Sequence, residues 1–439
     1  MDLPLFAQTA IELLEKEGFE CFAVGGCVRD SLLNKACHDV DLTTNAAPEE
    51  MKRVFSGFPV IETGLKHGTL TVLFGRQPLE ITTYRTESAY TDGRHPDEVR
   101  FTGNLRDDLS RRDFTVNAMA FSPRTGLIDL FGGRNDLQNK VLRCVGNAEE
   151  RFNEDALRIL RLLRFASVLG FSAEAQTNAA ALRCKERLTL LSKERVAAEF
   201  KGMLCGAHVK EVLCSYWENL AVLFPFLEQM HGFDQHNYHH CYDILEHTSV
   251  VTASAPAKTA LRLAAFFHDC GKPGCFSLDS RGVGHFYGHA SLSAAIAKQT
   301  MEELKLDRKT TEYVTQLVKL HDNPLEAEPR ALKKKLNKYG EEFLLDLIAL
   351  QRADTLGLAP QFHDRLPHFD ELEAMIKEVV ASGAVFSLRD LAVNGNDLRK
   401  LGLRGKQIGD ALQLLLGAVL DEKIANEKSA LLDYFRRHT

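Results

Sequence analysis

The segment Gly25-Gly26-Cys27-Val28-Arg29-Asp30 is followed closely by His38-Asp39-Val40-Asp41. In a strand, residues i and i+2 point to the same face, so Asp39 and Asp41 are expected to project together. Two such carboxylates repel unless a cation lies between them. A hard, oxygen-ligated ion such as Mg²⁺ meets that need. A pair of ions would suit an in-line displacement at phosphorus. The glycine pair leaves backbone N–H groups open to phosphate oxygens, and Arg29 adds a charge-matched donor. Glu80, in the later run LEITTYR, is a candidate third acidic ligand. Alone, the paired aspartates would pass for a solvated strand end and the glycines for a turn; together they point to metal and phosphate.

A second set is Glu154-Asp155-Ala156-Leu157-Arg158. Read as the opening of a helix, it puts acidic residues in the first turn, where the dipole favours them. Asp155 and Arg158, at i and i+3, then share a face and can reach one ligand. Cytosine and adenine each present an amino donor beside a ring-nitrogen acceptor, whereas guanine and uracil present the reverse. A carboxylate with a guanidinium therefore suits C and A and leaves G and U with unpaired polar groups. Arg161 and Arg164 continue that face. The plainer alternative is a salt bridge on a solvated helix.

A third set lies further on. His247 precedes His268-Asp269 in AAFFHDCGKP, His289 in FYGHA, His321 in VKLHDN and Asp354 in QRAD. A charged pair after so apolar a run is costly unless it is neutralised or binds metal. Imidazole and carboxylate together suit a divalent transition metal. His231, His236, His239 and His240 are denser but lack a carboxylate at ligand spacing, and read as loop histidines.

These sets must be positioned by two kinds of element. CFAVGG, DVDLTT, TLTVLFG and LEITTYR read as strands, with helices at the start and around PEEMKRVF. From about residue 137 the pattern is helical, as in ALRILRLLRFASVLGF, KERVAAEFKGML, KTALRLAAFFHD and EEFLLDLIALQRAD. The expected fold is α+β, a small α/β head followed by an elongated all-α body. At 439 residues, several packed units are required. Hydrophobic content of 45%, charged content of 26% and a net charge of −6 are those of a globular chain rather than a general nucleic-acid coat. No apolar run approaches a membrane span, the opening helix is not a signal peptide, and ten scattered cysteines suit a reducing cytoplasm.

GGCVRD, HDVDLTT, DDLSRRDFTVNAMA (107–120), DLFGGRNDL (129–137) and EDALRILRLLRFA (154–166) occur in this order, with SKERVAAEF after them. The series resembles the class II tRNA nucleotidyltransferases, the family of CCA-adding enzymes and bacterial poly(A) polymerases. The resemblance implies that Asp39 and Asp41 are catalytic and hold Mg²⁺. Gly26, Arg29 and Arg112 would face the triphosphate and ribose, with Asp113 close by. Asp155 and Arg158 would choose the base, while Asp129 and Gly132–Gly133 would shape a flexible link. His247, His268, Asp269 and Asp354 resemble the core ligands of the HD superfamily of metal-dependent phosphohydrolases, and His289 and His321 its extra histidines in binuclear members. Activity on phosphomonoesters or 2′,3′-cyclic phosphates follows only by analogy.

Four regions are expected: a head (1–125), a helical neck (126–230), an HD domain (231–360) and a C-terminal tRNA-binding tail (361–439). Arg330, Lys333, Lys334, Lys335 and Lys338 are candidate RNA contacts. The stretch RTESAYTDGRHPDEVRFTG is where a loop controlling the change from C to A is expected. The family implies addition of C, C and A to tRNA from CTP and ATP, with pyrophosphate released. Alternatives are poly(A) addition, partial CC or A addition, an RNA-repair phosphohydrolase with a nucleotide-binding head, and a non-catalytic tRNA-binding protein. Oligomeric state stays open.

Overall fold

The computed structural model describes residues 1, 3–37, 39–87 and 99–438. His38 and most of the expected C-to-A loop lie outside the described residues. The chain divides into two compact units, Met1–Pro225 and Phe226–Thr439.

In the first unit, α1 (Leu5–Lys16) leads into β1 (Cys21–Val24), whose four residues are all buried. A short helix α2 (Gly26–Leu32), β2 (Asp41–Thr44), α3 (Pro48–Val54), β3 (Val60–Ile61), β4 (Thr69–Phe74) and β5 (Gln77–Thr83) follow. The pair β6 (Arg85–Glu87) and β7 (Val99–Phe101), then α4 (Leu105–Ser110), precede the hairpin β8 (Met119–Ser122) and β9 (Gly126–Asp129). One seven-stranded sheet has the order β3-β4-β5-β2-β1-β8-β9. β2 is antiparallel to β1 but parallel to β5, in a register that sets Asp41 opposite Glu80. Phe22, Val24, Tyr84, Leu109 and Ala120 close a core under this sheet.

All four expected head strands form. The head boundary expected at 125/126 falls inside the β8–β9 hairpin, where Ser122 pairs with Gly126. Gly126 is a tight turn with φ +77°, and the sheet runs on to Asp129.

The rest of the unit is helical apart from the short parallel pair β10 (Val141–Leu142) and β11 (Ser172–Ala173). Its helices are α5 (Gly133–Gln138), α6 (Ala148–Glu154), α7 (Leu157–Leu169), α8 (Ala175–Arg183), α9 (Lys193–Leu204), α10 (Val209–Ser215) and α11 (Trp217–Ala221). The apolar face of α7, including Ile159, Leu162, Leu163 and Ala166, is buried, and α9 packs against it.

The second unit opens with α12 (Phe226–Met230), five residues before the neck boundary expected at 230/231. α13 (Ile244–Ser254), α14 (Thr259–Phe267), α15 (His289–Glu303), α16 (Arg308–Leu320), α17 (Pro329–Tyr339), α18 (Glu341–Leu356) and α19 (Leu366–Ala381) follow, with a two-stranded ribbon (Ser277–Leu278 and Gly284–His285) before α15. α13 and α14 pack on α18, and α14 also on α16. α20 (Gly395–Arg399), α21 (Lys406–Leu420) and α22 (Lys428–His438) share a separate core of Val393, Leu398, Leu415, Leu416 and Leu431. No helix among the described residues is long and apolar enough to cross a membrane.

Candidate functional site

In the first unit, the turn after β1 and helix α7 face one cavity of about 420 Å³. Gly25 adopts φ +77°, a conformation that only glycine takes easily, and a Cβ there would sit 3.3 Å from the Arg112 guanidinium. Gly26 and Arg29 line the cavity behind it. Arg29 is held bidentately by Asp30 at 2.8 and 2.9 Å and donates to Asn117 at 2.7 Å. Arg112 is far less engaged. It approaches Asp108 at 3.4 Å, its Nε is buried without a partner, and burial pushes its pKa down. A buried guanidinium with spare donors is suited to an anion.

Asp41 lines the same cavity. Burial raises its carboxyl pKa and the Asp39 charge raises it further, against the pull of Arg112. Asp39 does not share the strand as expected: β2 starts at Asp41, so Asp39 lies on the irregular approach and is exposed outside the cavity. Strand alternation therefore does not orient it, though its charge is felt at Asp41. Glu80 stands beside Asp41 across the parallel pair and is also exposed.

Asp155 is not inside a helix. It is the extended residue between α6 and α7, with φ −141°, and its Oδ1 accepts from the Leu157 N–H at 3.0 Å. Its other oxygen accepts from Arg195 at 2.6 Å. Arg158 donates to Glu154 at 2.6 Å and to the Arg151 and Arg111 carbonyls at 3.2 and 3.0 Å. Asp155 and Arg158 thus both line the cavity, each held by a different partner. Arg161 lines it too and pairs with Asp113 at 2.6 Å. Burial pushes the Asp113 carboxyl up, but Arg161 and Asn117 outweigh this and hold it below the usual range. Arg164 is outside the lining; it turns to Glu199 and lies over the Phe165 ring. Asp129 accepts from the Gly133 and Arg134 N–H groups at 2.8 and 2.9 Å, capping α5. A Cβ at Gly133 would fall 2.2 Å from the Thr115 carbonyl oxygen, so this link is tightly packed rather than loose.

The second unit brings together all six residues of the histidine–aspartate set. His247, His268 and Asp354 form one trio, and Asp269, His289 and His321 another. Each histidine has Nδ1 against a backbone carbonyl: Gly357, Ala265, Phe286 and Val318, at 3.0, 2.7, 2.9 and 2.6 Å. That leaves every Nε2 facing inward, as a metal ligand requires. Asp269 serves both trios. Its Oδ2 is 3.3 and 3.2 Å from His247 and His268, and its Oδ1 is 3.4 and 3.8 Å from His289 and His321. Burial disfavours a charged His268, yet Asp269 and Asp354 override it and push the imidazole up to about 10.

Sequence reasoning missed several neighbours. Lys272 is buried with its Nζ 2.7 Å from Asp269, and its signal was only that it follows the HD pair by three residues. His239 and His240 lie in a loop as expected, but both line the cavity of about 460 Å³ over the trios, and His240 Nδ1 is buried without a partner. Burial lowers His240 to about 3, keeping it neutral. Arg195, Asn117 and Phe165 in the first cavity lie within the quoted motif segments but were not singled out. Among the candidate RNA contacts, Arg330 and Lys334 pair with Asp421 at 3.6 and 2.6 Å and Lys333 with Glu422 at 3.8 Å, so part of that charge is met within the chain.

Comparison with known proteins covers both units. A family model described as the poly A polymerase head domain matches residues 21–143, one described as a probable RNA and SrmB binding site of polymerase A matches 170–230, and one described as tRNA nucleotidyltransferase domain 2 (putative) matches 285–435. The CCA-adding enzyme of Lactiplantibacillus plantarum is 33% identical over 437 residues, 98% of this chain and 95% of that one. The CCA-adding enzyme of Lacticaseibacillus paracasei is 35% identical over 426 residues, 96% and 93% of the two chains. Among solved structures, the Bacillus stearothermophilus CCA-adding enzyme in complex with CTP aligns with a TM-score of 0.71 at 27% identity, over 100% of this chain and 98% of that one.

Proposed function

This chain belongs to the family of CCA-adding enzymes, and from that premise we propose that it adds C, C and A to the 3′ end of tRNA from CTP and ATP, without a nucleic-acid template, releasing pyrophosphate. The observation that carries this reading is the shared cavity. Groups suited to a triphosphate (Gly26, Arg29, Arg112) and a carboxylate at the sheet end (Asp41) open into the same space as Asp155 and Arg158.

The chemistry follows from what each group offers. Arg112, with an unpartnered buried Nε, and Arg29 neutralise the phosphate charge and hold the nucleotide at the glycine turn. Asp155 accepts from the exocyclic amine of C or A while Arg158 donates to the adjacent ring nitrogen; U and G present two mismatched groups. Arg161 borders the same space, and Arg164 supports it through Glu199 rather than by contact.

The nucleotidyltransferase family depends on a divalent metal. Asp41 at the sheet end, with Asp39 on the approach to β2 and Glu80 beside it across the parallel pair, would hold that cation: all three are exposed carboxylates, and Asp41 feels the Asp39 charge. Mg²⁺ bound there would lower the pKa of the attacking 3′ hydroxyl and balance charge on the phosphates. The four regions are a head (1–125), a helical neck (126–230), an HD domain (231–360) and a C-terminal tail (361–439), a division that sits beside a sheet running to Asp129 and a first compact unit ending at Pro225. The tail is read as a tRNA-binding module and the site of action as the cytoplasm, a reading that fits ten free cysteines.

The inward Nε2 atoms of His247, His268, His289 and His321, with Asp269 and Asp354, favour a second reading beside the first: an HD-type site for a divalent transition metal. Lys272 at its edge suits an anionic substrate, and hydrolysis of a phosphomonoester or 2′,3′-cyclic phosphate is the chemistry such a site would supply.

The test uses tRNA transcripts ending before CCA, after C and after CC, with CTP and ATP supplied singly and together. Ordered addition that stops after A is expected. Long A tails, or addition of only CC or only A, would overturn the reading. Asp39→Ala with Asp41→Ala should abolish incorporation while leaving any phosphatase activity intact.

A further inference from the structure

We propose that Arg195 is a positioning residue for base choice, holding the Asp155 carboxylate away from Arg158 so that both stay open to the incoming base. The proposal rests on the reading that Asp155 and Arg158 recognise that base.

The two base-reading groups have opposite charges and line one cavity, so an unopposed Asp155 carboxylate would be drawn to the Arg158 guanidinium. Among the described residues they form no pair. Asp155 is held from the other side, with Oδ2 at 2.6 Å from Arg195 and Oδ1 at 3.0 Å from the Leu157 N–H. Each oxygen keeps a lone pair for an amino group. Arg158 is turned away symmetrically: its Nη1 donates to Glu154 at 2.6 Å and to the Arg151 carbonyl at 3.2 Å, and its Nη2 to the Arg111 carbonyl at 3.0 Å. That leaves Nε–H and one Nη2 hydrogen for a ring nitrogen.

Arg195 is equipped for this task. It lies in the first turn of α9 and lines the cavity, while its Nη1 is buried without a partner. Glu199, four residues on and so on the same face, takes Arg164 at 2.5 Å and approaches Arg161 at 3.9 Å. A Cβ at Gly202 would meet the Arg164 side chain at 2.7 Å, which shows how close α9 lies to α7. Without Arg195, the guanidiniums left to collect Asp155 are Arg158 and Arg161, the second of which already feels its charge.

The experiment measures single-nucleotide incorporation with CTP, UTP, ATP and GTP by the full chain and its R195A, R195K and D155A variants. R195A is expected to lose about tenfold of the preference for CTP over UTP in kcat/KM, chiefly through a higher KM for CTP. R195K, which keeps the charge on a single donor, should recover part of it. An equal loss with all four nucleotides, or unchanged selectivity, would overturn the proposal. D155A separates the two ideas. If D155A keeps selectivity, base recognition by Asp155 is itself wrong; if D155A loses it and R195A does not, only the positioning role fails. Should R195A not fold, R195Q replaces it, with the same outcomes deciding.

Discussion

Replacing Asp113 by Asn tests how rigidly the cavity wall is built. Asp113 is 8% exposed and accepts four hydrogen bonds: from Arg161 Nε and Nη2 at 2.7 and 2.6 Å, the Phe114 N–H at 2.8 Å and Asn117 at 3.0 Å. An Asn amide keeps the size and one acceptor but turns an N–H donor towards the guanidinium. Breaking a fully buried pair from one side costs about 3–5 kcal/mol. Arg161 is 33% exposed, so screening trims this to about 2–4 kcal/mol. At about 2–4 °C per kcal/mol for a unit of this size, the first unit should melt about 4–16 °C lower, as read by calorimetry at neutral pH. The pH dependence supplies a check on cause. The folded pKa of Asp113 lies below its ordinary 3.8, so its stabilisation is fully present above that value and is lost as pH falls through the lowered one. The gap between wild type and variant should therefore persist at neutral pH and close in acid. A loss under about 1 kcal/mol, or a gap unchanged in acid, would refute the account of this pair.

Gly25→Ala forces a Cβ into φ +77° and to 3.3 Å from Arg112, which should cost about 1–3 kcal/mol and raise KM for both nucleotides; thermal melts and steady-state kinetics check this. In the second unit, Asp269→Ala removes the carboxylate common to both trios and should leave no tightly held divalent ion, whereas His247→Ala should spare the trio of Asp269, His289 and His321. Metal analysis after dialysis against Mn²⁺ decides this, and equal metal content in the two variants would contradict a shared carboxylate.

What the sequence disclosed depended on how locally each feature is encoded. CFAV and DLTT announced their strands by composition, and the two nucleotide-facing motifs were each contiguous. The His268–Asp269 pair of the second unit was readable because it follows the apolar run Ala264–Phe267, so burial of a polar group stood out, and the other four residues were readable as the matching members of the HD set. Asp155 was misplaced because EDALR resembles a helix start, whereas α6 runs through Glu154 and α7 starts only at Leu157. The pairing of Arg195 with Asp155 could not be read, because the two are 40 residues apart and only the packing of α7 on α9 unites them. The β8–β9 turn at Gly126 coincides with the boundary set at 125/126 because a hairpin and a domain junction share the same turn residues.

The parallel pairing of β2 with β5 has a consequence for the order in which the molecule comes into being. Parallel neighbours cannot be joined by a tight turn, so Asp41 meets Glu80 only after the chain has passed through α3, β3 and β4. β1 then waits for β8 to cover its other edge, and Asp155 waits for Arg195 on a helix that ends at Leu204. A chain emerging from the ribosome thus carries its nucleotide turn and its paired aspartates long before the cavity around them exists. Pairings of such long reach form slowly. The residues that line this cavity run from Gly25 to Arg195, so close to half the chain must be made before all of them are present.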